Sequence, residues 1–187
     1  MLKEVEICKH YILEGGSILY PSDTIWGIGC DATNAQAVSR VFEIKRRPDY
    51  KSMLILVSDQ DMLARYLEKV PGEAREVLDR ANRPTTIIYP HARGLAKGLI
   101  APDGSVGIRV CSDPFCHALI QATDRPVVSS SANYAGEPSP SSFAAIDPAL
   151  HKEVDYVCKW RREETTTAQA SSILKLEPDG GITVIRP

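Results

Sequence analysis

Tyr20-Pro21-Ser22-Asp23-Thr24-Ile25-Trp26-Gly27-Ile28-Gly29-Cys30-Asp31-Ala32 begins where a short apolar strand, Ser17–Tyr20, stops. Pro21 has no amide hydrogen and cannot continue a ladder. Two hydroxyls and a carboxylate, from Ser22, Asp23 and Thr24, then precede Gly27 and Gly29, which let the backbone turn. A strand that ends in small polar residues and glycine, ahead of a helix, is where α/β proteins place ligands. The same residues also suit an ordinary strand-to-helix loop. Two further hydroxyl-rich strand ends, Val127–Asn133 and Ala170–Ser172, weigh toward the ligand site.

Working outward, Val5, Cys8, Tyr11 and Ile12 recur at helical spacing and stop at Gly15-Gly16. On the other side, Thr33-x-x-Gln36 reads as a capping box for a helix that buries Ala37, Val38, Val41, Phe42 and Ile44. That helix is expected to end near Arg47, because Pro48 disfavours helical geometry before it. Met53–Val57 is a continuous apolar run, as in a central strand covered on both faces. Met62, Leu63, Tyr66 and Leu67 mark a helix ended by Pro71-Gly72, and Ala74, Val77, Leu78 and Ala81 mark another. Strands are expected at Thr85–Tyr89, Ser105–Val110, Val127–Ser129, Asp155–Lys159, Ser172–Leu176 and Ile182–Ile185, the last two joined by Asp179-Gly180-Gly181. Asp113-Pro114 starts a helix, and Arg161–Gln169 is the segment expected to be mobile. The fold class is α/β, a mixed twisted open sheet with flanking helices, in one domain over residues 1–187.

With 187 residues and 43% hydrophobic composition, the chain can bury a sizeable core. A formal net charge of −2 leaves no global positive field for coating nucleic acid, so any anion site must be a local cluster. No apolar run reaches membrane-spanning length and no leader pattern is present, which points to a cytoplasmic protein away from membranes. Five cysteines, odd in number and without a CxxC pair, read as reduced and buried, with no metal site.

Lys45, Arg46, Arg47 and Lys51 place four positive charges within seven residues. Such a cluster suits a polyphosphate, with Arg as planar fork and Lys as point charge. It equally suits a solvated helix C-terminus, where cations complement the dipole. Arg109, inside the apolar strand Val106–Val110, is either a strand-edge residue facing solvent or a clamp for a small carboxylate. Ser129, Ser130, Ser131 and Asn133, followed by Ser139 and Ser141, form a dense donor and acceptor patch or a turn-rich loop. A nucleophilic serine is the poorer reading: GxSxG is absent, and none of His10, His91, His117 and His151 stands out as a base. GxGxxG and GxxxxGK[ST] are both absent.

Tyr20–Asp31 resembles the YP[TS][ED]T-x-[YFW]G-[LIV]-G-x-[DN] motif of the YrdC family of threonylcarbamoyl-AMP synthases. Lys45-x-Arg47-Pro48 is similar to its KxRP motif, Ser105–Arg109 to its [TS]VAVR strand, Ser131–Pro140 to its SANxSGxPSP segment, and Val184–Pro187 to its closing strand. The resemblance runs in order from about residue 5 to the terminus. It implies a YrdC/RibB-like fold and a nucleotidyltransferase. Such an enzyme joins L-threonine, bicarbonate or CO2, and ATP, with Mg2+, into threonylcarbamoyl-AMP and pyrophosphate. The product would feed the downstream machinery that makes N6-threonylcarbamoyladenosine in tRNA.

By the same resemblance Lys45 and Arg47 would be catalytic. They would bind ATP together with Lys51, Ser105, Ser129, Ser131, Asn133, Ser139 and Arg186, while Thr24, Arg109 and Ser171 would hold threonine. The sequence departs from the family pattern at three places. Lys51 stands where many members carry asparagine, Leu56 where they carry histidine, and Asn82–Thr86 replaces PGPLT with its glycine lost. The alternative is a non-catalytic, YciO-like module that binds tRNA or double-stranded RNA in the same basic cleft.

Overall fold

Leu2–Leu13 forms the first helix, α1, with Val5, Cys8 and Ile12 buried at the expected spacing. The protein is described by a computed structural model covering residues 1–47, 53–164, 170–177 and 180–187. After α1 the chain enters β1 (Ile18–Tyr20) and returns directly in β2 (Gly27–Gly29). Gly27 and Gly29 are therefore strand residues and not the turn expected of them. A Cβ on Gly29 would lie 2.0 Å from the Val128 carbonyl oxygen, so close approach of the neighbouring strand excludes any side chain there.

Helix α2 (Ala35–Ile44) buries Ala37, Val38, Val41, Phe42 and Ile44, the face read from the sequence. Its cap is Asn34 and not Thr33. Asn34 is extended and its Oδ1 accepts from the amides of Gln36 and Ala37 at 3.0 and 3.1 Å. Thr33 instead donates its hydroxyl to Asp31 Oδ1 at 2.7 Å, which removes it from the capping position. The helix ends at Ile44, with Lys45 as C-cap; Pro48, invoked for that ending, lies outside the described residues.

The chain continues through β3 (Leu54–Val57), α3 (Gln60–Arg65), α4 (Gly72–Arg80) and β4 (Thr85–Tyr89). Pro71-Gly72 opens α4 and does not close the helix before it, as Pro71 is its extended N-cap. Next come β5 (Val106–Val110), α5 (Pro114–Thr123), β6 (Val127–Ser131) and α6 (Leu150–Glu153). The chain then runs through β7 (Tyr156–Val157), β8 (Ser172–Leu176) and β9 (Ile182–Arg186). Asp113 caps α5 through Oδ1, which accepts from the amides of Phe115 and Cys116.

The strands make one mixed sheet in the order β7-β1-β2-β6-β3-β5-β4-β8-β9. β1 with β7, β3 with β5 and β4 with β8 are parallel; the remaining neighbours are antiparallel. β3 is central, as its unbroken apolar run requires. Helix α5 packs on β3, α3 on β3 and β5, and α1 on α5 and β1. Burying each Ile, Leu, Val or Phe of this core stabilises the fold by about 1.5–3 kcal/mol. All five cysteines are buried free thiols. Among the described residues no helix is long and apolar enough to cross a membrane.

Candidate active site

The period of two along a strand sets much of what faces the cavity. Thr86 and Ile88 of β4 line it, as do Ser105, Gly107 and Arg109 along β5, Ser129 and Ser131 of β6, and Ser171 and Ile173 at β8; Val106 and Ser130, between them in sequence, reach it as well. With Thr24, Arg47, Ser139 and Arg186 they enclose a cavity of about 340 Å³. Nine of the expected site residues thus meet in one place, although they come from six separate stretches of chain.

Arg109 is 2% exposed and lies in β5 between β3 and β4, so it is not a solvent-facing edge residue. Its Nη2 sits 2.9 Å from Asp23 Oδ1 and donates to Thr24 Oγ1 at 3.4 Å. Its Nε is buried without a hydrogen-bond partner. Burial raises the Asp23 carboxyl above its ordinary range, and Arg109 opposes that rise. The Asp23 backbone is held by its neighbours. The Ser22 hydroxyl donates to the Ile25 carbonyl at 2.8 Å and lies 3.0 Å from Thr24 Oγ1. Arg161 Nη1 donates to the Ser22 carbonyl and to Asp113 Oδ2, at 3.3 and 2.8 Å. The segment expected to be mobile thus begins with a residue anchored to this loop; residues 165–169 lie outside the described ones.

At the other end, Thr86 Oγ1 and Ser171 Oγ are hydrogen-bonded at 2.9 Å, both buried. Arg186 Nε donates to the Ser171 carbonyl at 2.8 Å, and its Nη2 lies 3.4 Å from Ser171 Oγ. Burial, with Arg109 next, lowers the Arg186 pKa. Arg186 therefore belongs to the Ser171 side of the cavity.

Lys45 does not line the cavity. It is 1% exposed, and its Nζ donates to the carbonyls of Ser131 and, at 2.7 Å, Asn133. Burial first, and Arg47 second, bring its pKa down to about 7. Asn133 also stays out of the lining. Its amide donates to the Tyr134 and Glu137 carbonyls at 2.9 and 2.7 Å, which shapes the loop. Arg47 does line the cavity, its pKa lowered by burial. Lys51 lies outside the described residues. Leu56 is fully buried in β3 and contributes nothing to the lining.

Sequence reasoning missed the pairing of Asp23 with Arg109, the role of Thr86, and the apolar wall of Ile25, Met53, Leu54 and Ile173. The alternation Thr86/Ile88 beside 105/107/109 carried a signal for Thr86. Nothing local announced that Asp23 would face Arg109. The described residues hold no cluster of three or more His, Cys, Asp or Glu side chains placed to bind a metal.

A family model named Sua5/yciO/yrdC and described as "Telomere recombination" matches residues 10–187. A threonylcarbamoyl-AMP synthase of Xanthomonas axonopodis pv. citri is 37% identical over 149 residues, 78% of this chain and 80% of that one. The structure of P. abyssi Sua5 complexed with L-threonine superposes with a TM-score of 0.88 at 25% identity, covering 98% of this chain. This chain spans 53%, about half, of that longer protein. E. coli YciO shares the fold, with a TM-score of 0.85 at 22% identity over 100% of this chain and 89% of its own.

Proposed function

We propose that this chain, which belongs to the Sua5/YciO/YrdC family, is a threonylcarbamoyl-AMP synthase. It joins L-threonine, bicarbonate or CO2, and ATP, releases pyrophosphate, and acts through residues 1–187 as one domain. The observation that carries this reading is the charge of the cavity. Among its described lining residues, Arg47, Arg109 and Arg186 bring three guanidinium groups, eight others bring hydroxyls, and none is a carboxylate. A cavity built this way favours a ligand with several negative charges and hydrogen-bonding oxygens.

Arg109 lines the cavity with its Nη2 2.9 Å from Asp23 Oδ1, and its guanidinium takes the threonine carboxylate. Thr24 and the Thr86–Ser171 pair offer hydroxyls to the rest of the amino acid. Arg47 neutralises phosphate charge, Arg186 adds its charge from beside Ser171, where the amino acid and nucleotide sides meet, and Ser105, Ser129, Ser131 and Ser139 take the nucleotide side. Lys51 is assigned there too by its place after the KxRP motif. Lys45 and Asn133 act from beneath the surface, bracing the loop that presents Ser131. The amine of threonine adds to CO2 and loses a proton. The carbamate oxygen then forms a bond to the α-phosphorus as the bond to pyrophosphate breaks. That step needs alignment and charge neutralisation more than an acid–base pair, and the lining supplies both. The described residues do not fit a protein-held Mg2+, for want of carboxylates at the cavity, and no step is assigned to that ion.

The synthesis is itself a nucleotidyl transfer, AMP passing to the carbamate, and its product supplies N6-threonylcarbamoyladenosine formation in tRNA; the setting is the cytoplasm, where five buried free thiols are at home. The test is pyrophosphate release by purified protein with ATP and bicarbonate, with L-threonine, with L-serine, and with neither. Threonine-dependent release is expected. Absence of release, together with RNA binding that weakens steeply with salt, would instead favour the non-catalytic reading.

A further inference from the structure

Between Lys45 and Arg47 stands Arg46, whose φ of 51° is left-handed. Its amide donates to the Glu43 carbonyl at 2.9 Å, and the Arg47 amide to the Phe42 carbonyl at 3.0 Å. These are the paired bonds of a Schellman cap closing α2, in which the left-handed residue is ordinarily glycine. A non-glycine residue held there is strained and persists only where its surroundings hold it.

Here the surroundings do so. The Arg46 guanidinium lies 4.1 Å from the centroid of the Tyr134 ring, and its Nη2 lies 3.8 Å from Glu153 Oε1. The Tyr134 hydroxyl donates to that same carboxylate oxygen at 2.7 Å. Tyr134 belongs to the loop whose Ser131 and Asn133 carbonyls receive the Lys45 ammonium, and the Ala135 amide donates to the Lys45 carbonyl at 2.9 Å. The end of α2 is thus fastened to the loop after β6 from inside by Lys45 and from outside by Arg46.

We propose that Arg46 is a positioning residue: stacked on Tyr134 and paired with Glu153, it fastens the left-handed turn at the end of α2 to the loop after β6 and so aims Arg47 into the cavity. The stack and the ion pair are each weak at an exposed site. Their effect is on direction, since a small displacement of a charge-neutralising group weakens catalysis disproportionately. The inference rests on the reading that Arg47 meets the triphosphate.

Arg46→Gly separates positioning from stability, because glycine suits the left-handed backbone yet provides no clamp. The thermal midpoint is expected to stay equal or rise. Affinity for ATP and for inorganic tripolyphosphate, measured by calorimetry, is expected to fall. In threonine-dependent pyrophosphate release, KM for ATP rises and kcat/KM falls about tenfold. Arg46→Lys keeps a cation over the ring and recovers part of the loss. Wild-type binding and turnover in Arg46→Gly would overturn the proposal. So would a loss of activity that merely follows a lowered midpoint. If the wild-type protein releases no pyrophosphate, the synthase reading fails, and the tripolyphosphate comparison alone still decides the role of Arg46.

Discussion

Replacing Lys45 with Met removes a titrating group from the interior, and the effect is read in how stability depends on pH. The Lys45 ammonium is 1% exposed, and burial with Arg47 nearby brings its pKa to about 7. In an unfolded chain it titrates near about 10.4. Between those values the unfolded state holds a proton that the folded state releases, so stability rises with pH through that window and is lost as pH falls through 7. From pH 7 to pH 9 the unfolded chain stays almost fully protonated while the folded chain goes from half to nearly none. Integrated over those two pH units, the difference is on the order of 2 kcal/mol. For a chain of this size that is about 4–8 °C in thermal midpoint. The assay is thermal and urea unfolding of wild type and Lys45→Met at pH 7, 8 and 9. The difference between the two proteins cancels every other titrating group. Met fills the same length, and its loss of the bonds to the Ser131 and Asn133 carbonyls shifts all three pH values alike. A wild-type advantage that does not grow with pH, to within about 0.5 kcal/mol, would refute the buried titration.

Three other perturbations test the frame around the cavity. Among the described residues, Asp23→Ala leaves the Arg109 guanidinium buried with only its 3.4 Å bond to Thr24; removing one partner of a buried pair costs about 3–5 kcal/mol, and an unchanged denaturation midpoint would contradict the pairing. Gly29→Ala drives a Cβ toward the Val128 carbonyl 2.0 Å away and should cost about 3 kcal/mol or more. Gly72→Ala, with nothing within 4 Å, should change stability by less than about 1 kcal/mol, and equal melting curves for the two variants would refute the packing argument. Thr86→Val removes one hydroxyl of the pair with Ser171, a loss of about 1 kcal/mol. It should raise KM for threonine about fivefold with kcat little changed; an unaltered KM would remove Thr86 from the site.

The elements that the sequence announced clearly are those whose signal is local. The buried face of α2, the apolar run of β3, the Asp113-Pro114 start of α5 and the paired β8 and β9 all follow from spacing within a dozen residues. The errors fall where two local signals compete. Thr33 and Asn34 are both good caps, and the contact with Asp31, which depends on how the chain enters the helix, gives the position to Asn34. Pro71-Gly72 reads equally as a stop or a start, and which helix it serves depends on what the following turn packs against. The glycines of Tyr20–Ala32 suggest a turn by composition, whereas Val128, remote in sequence, explains Gly29.

By itself the sequence determined the α/β class, the order of most elements and the residue types available for binding phosphate and carboxylate. Periodicity, caps and side-chain chemistry are properties of short stretches, and so can be read along the chain. Only the tertiary structure decided that Arg47, Arg109 and Arg186 share one cavity, that Asp23 faces Arg109, and that Lys45 turns away from the lining toward two carbonyls. The physical reason is that strand pairing and burial are set by residues distant in sequence. Whether a charge is exposed, paired or desolvated depends on those neighbours, and its pKa and direction follow from them.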